Sequence, residues 1–277
     1  MAGDLHTHTT ASDGTVTPQD LIKLAADIGL TAVGITDHDT VSGLPDALKA
    51  SSGTGIEVVP GVELSTVWND KEIHILGYYI DWHNDQLVSF LENMRQERRR
   101  RNYQMIGRLQ ELGYDLSVAE VEERVAGESM GRPHIAAALA QKGLVPSAEE
   151  AFNKLLSRGR AAYIPRAKVP PARAIKIILA AGGVPVLAHP GLSGADSIIR
   201  ELIDEGLQGI EAYYPWHDPI STNYYLELAA RHNLVVTGGS DFHRPQGGSH
   251  AELGACQVSE AELNMLLRRA KSLGKNK

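Results

Sequence analysis

Residues 4–14 read DLHTHTTASDG. His6 and His8 stand two apart behind a single apolar residue, Leu5, and Asp13 follows on a Ser-Asp-Gly turn. On an extended strand, side chains at i and i+2 point to the same side. The two imidazoles therefore share a face, with a carboxylate close behind. Two readings are open at this point: three ligands converging on a metal, or a polar N-terminus of no special consequence. The rest of the chain decides between them.

Working outward, the first 80 residues alternate strand and helix signals. TPQDLIKLAADIGL (17–30) reads as a helix with Thr17 as N-cap, Pro18 at the first position and Gly29 as the stop. TAVGITDHD (31–39) is an apolar strand ending in polar residues, and IEVVPGVELST and KEIHILGYYID are further strands. From about residue 170 the alternation resumes, with strands at VPVLAHP, GIEAYYP and LVVTGGSDFH separated by helices. Strands alternating with helices predict β/α units and a mostly parallel sheet. Six or seven such units are countable. Between residues 84 and 165 the pattern is helical instead, with apolar positions 87, 91, 94, 105, 109 and 112 near helical spacing. This predicts a helical insertion over 84–165, capping a β/α scaffold formed by 1–83 and 166–277.

The 277 residues suffice for one large domain with an insertion. A net charge of −7 argues against a broad basic surface for long duplex nucleic acid, though not against a small phosphate ester. The single cysteine, Cys256, excludes a disulfide framework and a cysteine-built zinc site. No apolar run approaches membrane-spanning length and no signal peptide is evident, so the expected location is cytoplasmic.

In barrels, catalytic groups sit where strands end at the C-terminal edge. The unusual polar residues fall there. His6, His8 and Asp13 follow the first strand; Asp37 and His38 close the second; Glu63 closes the third; His74 lies on the next; His189 ends VLAHP; Asp241 and His243 end GGSDFH. Six of the eleven histidines lie at or near these edges, which scatter does not explain. A buried polar group costs roughly 1–3 kcal/mol unless partnered. A ring of imidazoles therefore calls for something central to bind, and imidazole with carboxylate is the ligand set of Zn, Mn, Fe or Mg.

Taken in order, DLHTHTTASDG, GITDHD, GVE, the His74 strand, AHP and GSDFH resemble the motifs of the PHP (polymerase and histidinol phosphatase) family, and most closely its bacterial branch linked to the tryptophan operon. That branch includes a 3′,5′-nucleotide bisphosphate phosphatase and a 5′-to-3′ exoribonuclease acting on short RNA. The resemblance implies an α/β fold, a distorted seven-unit β/α barrel, and a cluster of three divalent ions, most often manganese, with iron, zinc or magnesium as alternatives. Carried over by residue, His6, His8, Glu63 and Asp241 hold the first metal. Asp13, His38 and His243 hold the second. Glu63, His74 and His189 hold the third, with Glu63 bridging. Of these, His6, Glu63, Asp241 and His243 count as catalytic.

The expected activity is hydrolysis of a nucleotide phosphate ester, on a 3′,5′-bisphosphate or the 5′ end of a short RNA, with a metal-bridging hydroxide attacking phosphorus. Histidinol phosphate hydrolysis is the rival enzyme reading, and a non-catalytic metal-bound module the rival of another class. Arg132 and His134, opening an insertion helix in GRPHIA, are implied to bind phosphate; the bland alternative is a capped surface helix with a solvated arginine. Glu211 is a further substrate-binding candidate, and Tyr213, Tyr214, Trp216 and His217 beside it either stack a base or pack the barrel rim. Asp37 and Asp39 either orient His38 or its neighbours or simply shape a turn. The run Arg98–Arg101 spreads around a helix, so at most one or two members face the site; solvated surface is the better single reading, with Arg101 and Asn102 as weak substrate candidates. Arg166 or Lys168 are candidates to line the mouth, and His83, His232 and His250 read as bland.

Overall fold

The computed structural model describes residues 2–125, 130–165, 169–245 and 251–274. Arg166, Lys168 and His250 lie outside the described residues. The chain opens with β1 (Ala2–Thr7), α1 (Pro18–Asp27), β2 (Ala32–Ile35), α2 (Leu44–Ser51) and β3 (Glu57–Trp68). In α1 the Thr17 hydroxyl accepts from the Asp20 amide, Pro18 occupies the first turn, and Gly29 at φ +79° ends the helix. These are the start and stop signals visible in the sequence.

After β3 the alternation breaks. β4 (Lys71–Tyr78) returns antiparallel along β3, with Trp68 opposite Lys71. The two residues between them, Asn69 and Asp70, both take positive φ, the combination a tight two-residue hairpin turn needs and Asn and Asp tolerate. β3 therefore runs on past Glu63, which sits mid-strand rather than closing it. Next come α3 (Asp85–Glu111), α4 (Val118–Glu122), α5 (Arg132–Gln141) and α6 (Ala148–Ala151), the last running into a π-helical turn, Phe152–Leu156. The β/α pattern then returns with α7 (Pro171–Ala180), β5 (Val184–Leu187), α8 (Pro190–Ser193), α9 (Ile199–Asp204), β6 (Gly209–Tyr213), α10 (Pro219–His232), β7 (Val235–Gly238), β8 (Val258–Ser259) and α11 (Glu260–Gly274).

The fold is mixed α/β, and among the described residues the strands form one eight-stranded sheet in the order β7-β6-β5-β4-β3-β2-β1-β8. The pairs β1–β2, β2–β3, β5–β6 and β6–β7 are parallel, whereas β3–β4, β4–β5 and β1–β8 are antiparallel. Four of the seven pairings are parallel, in keeping with the expected mostly parallel sheet, and the Asn69-Asp70 hairpin interrupts it by inserting β4, a strand with no helix before it. The segment after β7 bridges back to β1: Phe242 pairs with Thr7 and the His8 amide donates to the Phe242 carbonyl at 2.8 Å. This contact nearly closes the sheet into a barrel.

The helical segment has its own apolar core, built from Met105, Ile106, Leu109, Ile135, Leu139 and Leu156 among others. The first turns of α3, by contrast, bury Leu87 and Leu91 in the barrel core against Ile175 and Ile178 of α7. One helix thus carries both cores, and the change from barrel to helical packing falls inside α3 rather than at residue 84.

Candidate metal centre

The turn that follows β1 is stapled from beneath. Asp37 Oδ1 accepts from the Thr9 amide at 2.7 Å and the Ser12 hydroxyl at 2.6 Å, and its Oδ2 accepts from the Thr9 hydroxyl at 2.8 Å. Asp37 therefore shapes the loop that presents Asp13. Asp4, fully buried on the other side, accepts from the amides of His6, Ser240 and Gly254 and from the Ser240 hydroxyl. It ties β1 to the Asp241 loop. Burial pushes its pKa up to about 6 in spite of those four donors. Gly239 lets that loop pass against β1, since a Cβ there would strike the backbone and Cβ of His6. Three residues at the site hold positive φ without being glycine: Asp39 at +54°, His189 at +27° and Asp241 at +54°. Such conformations persist only where surroundings over-determine them, and they concentrate at functional sites.

Glu63 is the hub. It is fully buried, and five imidazoles face its two oxygens. Oε1 lies 2.8 Å from His74 Nδ1 and 3.1 Å from His189 Nε2; Oε2 lies 3.0 Å from His38 Nδ1, 3.3 Å from His8 Nε2 and 3.4 Å from His6 Nε2. Asp241 Oδ1 stands 3.1 Å from His8 Nε2 and 3.4 Å from His6 Nε2, and Asp13 Oδ1 stands 3.3 Å from His243 Nε2. All nine residues expected to bind metal meet at one place.

Whether ions fit there is decided by two observations. His6 Nε2, His8 Nε2, His38 Nδ1, Asp13 Oδ1 and Glu63 Oε2 are buried and make no aligned hydrogen bond, although opposite partners lie 3.0–3.4 Å away. Ligands about 2.0–2.2 Å from a shared ion stand roughly 3.0–3.5 Å from one another. The spacing is that of donors around a cation. Ligand atoms of His6, His8, Glu63 and Asp241 lie within 4.8 Å of each other, as do those of His8, Asp13, His38 and His243, and those of His38, Glu63 and His74. The first two groups contain the first two sets carried over from the resemblance, with His8 within reach of both. In the third, His38 stands where His189 was expected, and His189 reaches the cluster through Glu63.

Burial opposes ionisation of Glu63, but the histidines around it, His38 and His74 foremost, hold its carboxyl well below the usual range. The same balance lowers Asp13, beside His38 and His243, and Asp241, beside His6 and His8. Burial likewise opposes protonation of His8, yet Asp241 and Glu63 push its pKa up to about 10. For His38 burial prevails and lowers it to about 4. Three carboxylates buried in one pocket need positive charge beside them; here the histidines provide it, and divalent ions would provide it with the imidazoles neutral.

The substrate candidates divide. Arg132 faces the cleft of about 200 Å³ that opens over the cluster, where Arg98, Arg101 and Leu192 also line the wall. Its Nη2 lies 3.3 Å from Glu72 and its guanidinium stands over the Phe152 ring. His134 accepts from the Gly131 amide at 3.0 Å through Nδ1 and caps the start of α5 with that nitrogen. Glu211 is corrected. It is fully buried behind the cluster, with Oε1 3.0 Å from His6 Nδ1 and Oε2 accepting from the His189 amide at 2.8 Å, so it orients two of the candidate ligands and does not face the cleft.

The arginine run splits as helical geometry requires. Arg98 is buried against Asp39 and donates to Ser65 Oγ at 2.9 Å, and Arg101 donates to the Ile164 carbonyl, while Arg99 and Arg100 are exposed. Solvated surface is therefore right for two of the four. Asn102 is buried and donates to the Met130 carbonyl. Tyr214, left undecided by the sequence, donates to Asp241 Oδ2 at 3.1 Å. His217 bridges the Gly191 amide and the Ala212 carbonyl, and His83 and His232 are exposed.

Residues 4–157 match the PHP domain model, more than half of the chain. The chain belongs to the PHP family. Among curated PHP relatives it is 32% identical over 249 residues to the 5′-3′ exoribonuclease Rnm of Escherichia coli, covering 87% of this chain and 85% of that one. It is 34% identical over 254 residues to the 3′,5′-nucleoside bisphosphate phosphatase of Chromobacterium violaceum, covering 88% of each. A solved structure from Bifidobacterium adolescentis, described as a metal-dependent phosphoesterase, superimposes with a TM-score of 0.89 at 34% identity over 96% of both chains. The PHP chain is thus a metal-dependent phosphoesterase by family and fold. No helix among its described residues is long and apolar enough to cross a membrane.

Proposed function

We propose that this chain hydrolyses the phosphate ester of a nucleotide, a 3′,5′-nucleoside bisphosphate or the 5′ end of a short RNA, at a divalent metal cluster held by His6, His8, Asp13, His38, Glu63, His74, His189, Asp241 and His243. The observation that carries the reading is the convergence of these nine side chains on Glu63 and Asp241 with buried donors lacking hydrogen bonds. The names of the E. coli and C. violaceum relatives supply the nucleotide. The thiolate-free donor set suits Mn, with Fe, Zn or Mg as the alternatives. Bound ions would supply an attacking water at neutral pH and offset charge on the phosphoryl oxygens.

The protein's own groups do the rest. Glu211 fixes which nitrogen His6 presents to the pocket, by engaging the other one. Tyr214 holds one oxygen of Asp241 so that the other faces His6 and His8. Arg132, at the rim of the cleft, is placed to grip a phosphate in two-pronged fashion once it exchanges Glu72 for the ester. The test is product mapping with metal-loaded protein on adenosine 3′,5′-bisphosphate, a 5′-phosphorylated short RNA and histidinol phosphate. Release of phosphate or mononucleotide from the first two supports the reading; turnover of histidinol phosphate alone, or of none, contradicts it.

A further inference from the structure

The walls of the cleft are mostly charged, but one edge is apolar and continues onto open surface. Leu192, in α8 just after the ligand His189, lines the cleft and yet is 65% exposed. The His189 ring lies tilted 5.3 Å from the Tyr214 ring, and Tyr214 in turn lies 5.3 Å from the ring of Trp216, a residue 52% exposed. The two loops are locked together, since the Gly191 amide donates to His217 Nε2 at 3.2 Å and a side chain at Gly191 would collide with the His217 ring. Beyond Trp216, α10 presents Ile220 at 79% and Tyr224 at 47% exposure. These two are one helical turn apart on the same face, about 6 Å along the axis. A row of apolar groups therefore leads from a metal ligand outward along the barrel rim. Tyr214 is buried, but Leu192, Trp216, Ile220 and Tyr224 are largely exposed, and large exposed apolar groups that cluster mark binding surfaces.

We infer that Leu192, Trp216, Ile220 and Tyr224 form a stacking surface for nucleobases, on which the bases of a single-stranded oligonucleotide lie while one of its phosphates occupies the cluster. The inference rests on the nucleotide phosphoesterase reading and adds the site that holds the bases. The occupant follows from continuity with the phosphoester site: whatever is attached to the bound phosphate leaves the cleft past this edge or past the opposite wall, where Arg98, Arg101 and Arg132 stand with Pro133 and Phe152. The bases are the flat, apolar part of a nucleotide, and stacking on aromatic side chains accepts every base alike. The phosphates between them stay near the arginine wall.

The experiment compares a 5′-phosphorylated trinucleotide with its counterpart carrying abasic sugars, in wild type, Trp216→Ala and Trp216→Phe. The expected result is a wild-type preference for the base-bearing substrate of about tenfold or more in kcat/KM, expressed mainly in KM, lost in Trp216→Ala and largely kept in Trp216→Phe. In parallel, a hydrolysis-resistant phosphorothioate trinucleotide is titrated into the metal-loaded chain. Quenching of tryptophan emission that the abasic analogue does not produce, and that Trp216→Phe removes, supports the stacking surface even if neither substrate is turned over; that combination would sink the catalytic reading alone. Absence of a base preference in wild type together with absence of quenching overturns the inference. So does an equal loss on both substrates in Trp216→Ala, which would make Trp216 a prop for Tyr214.

Discussion

His6 Nδ1 lies 3.0 Å from Glu211 Oε1, and solvent reaches neither side chain. The pair faces away from the cleft, so the carboxylate would act on a bound ion through the residues it orients, the His6 ring and the His189 backbone. Replacing Glu211 with Gln keeps the volume and removes the charge that fixes the ring. Metal affinity should fall about 10- to 100-fold with unchanged circular dichroism. Unaltered affinity in a metal titration would show that His6 needs no such partner.

Chelation should lower stability measurably. A group of ions that binds only the folded chain contributes about 2.7 kcal/mol when present at 100 times its Kd. At roughly 2–4 °C per kcal/mol for a chain of this size, the melting temperature should drop by about 5–10 °C in EDTA and recover on adding Mn. Identical melting with and without the chelator would contradict the cluster.

Arg98 and Asp39 join α3 to the loop bearing His38, with side-chain exposures of only 9% and 2%. Arg98→Ala leaves a buried carboxylate without its guanidinium and should cost about 3–5 kcal/mol in urea unfolding. The double variant Arg98→Ala, Asp39→Ala should recover part of that loss. A strictly additive double variant would mean that the contact carries no coupling.

Gly239→Ala should be among the most damaging small substitutions in the chain. Its methyl group would meet the His6 backbone, which the barrel closure cannot move. We expect a loss of at least about 3 kcal/mol together with the metal site. A variant that unfolds like wild type and binds metal normally would show that the two segments can part.

Most of the nine candidate metal-binding residues were legible because they are polar residues at or just past the ends of apolar strands, a pattern that local sequence carries; Glu63 and His74 stand within β3 and β4 instead. The side chains that orient them were not. Glu211 sits in the same kind of position as a ligand, and only the pairing of β6 between β5 and β7 turns it behind His6 and His189. His134 carries metal- and phosphate-type chemistry, but three residues of spacing from Gly131 spend it on a helix cap. The β3–β4 hairpin hung on two residues, Asn69 and Asp70, whose positive φ gives no periodic signal. The inward turn of Arg98 and Arg101 depends on where α3 lies over the barrel, which helical spacing alone leaves free by rotation.

The most direct test of the metal-centred account measures bound divalent metal and turnover of adenosine 3′,5′-bisphosphate together, in wild type, His6→Ala and Asp241→Ala. Turnover should track metal content in wild type and be lost in both variants while their folded signal remains. Near-normal turnover in both variants, or full turnover by the metal-free chain, would contradict the metal-centred reading.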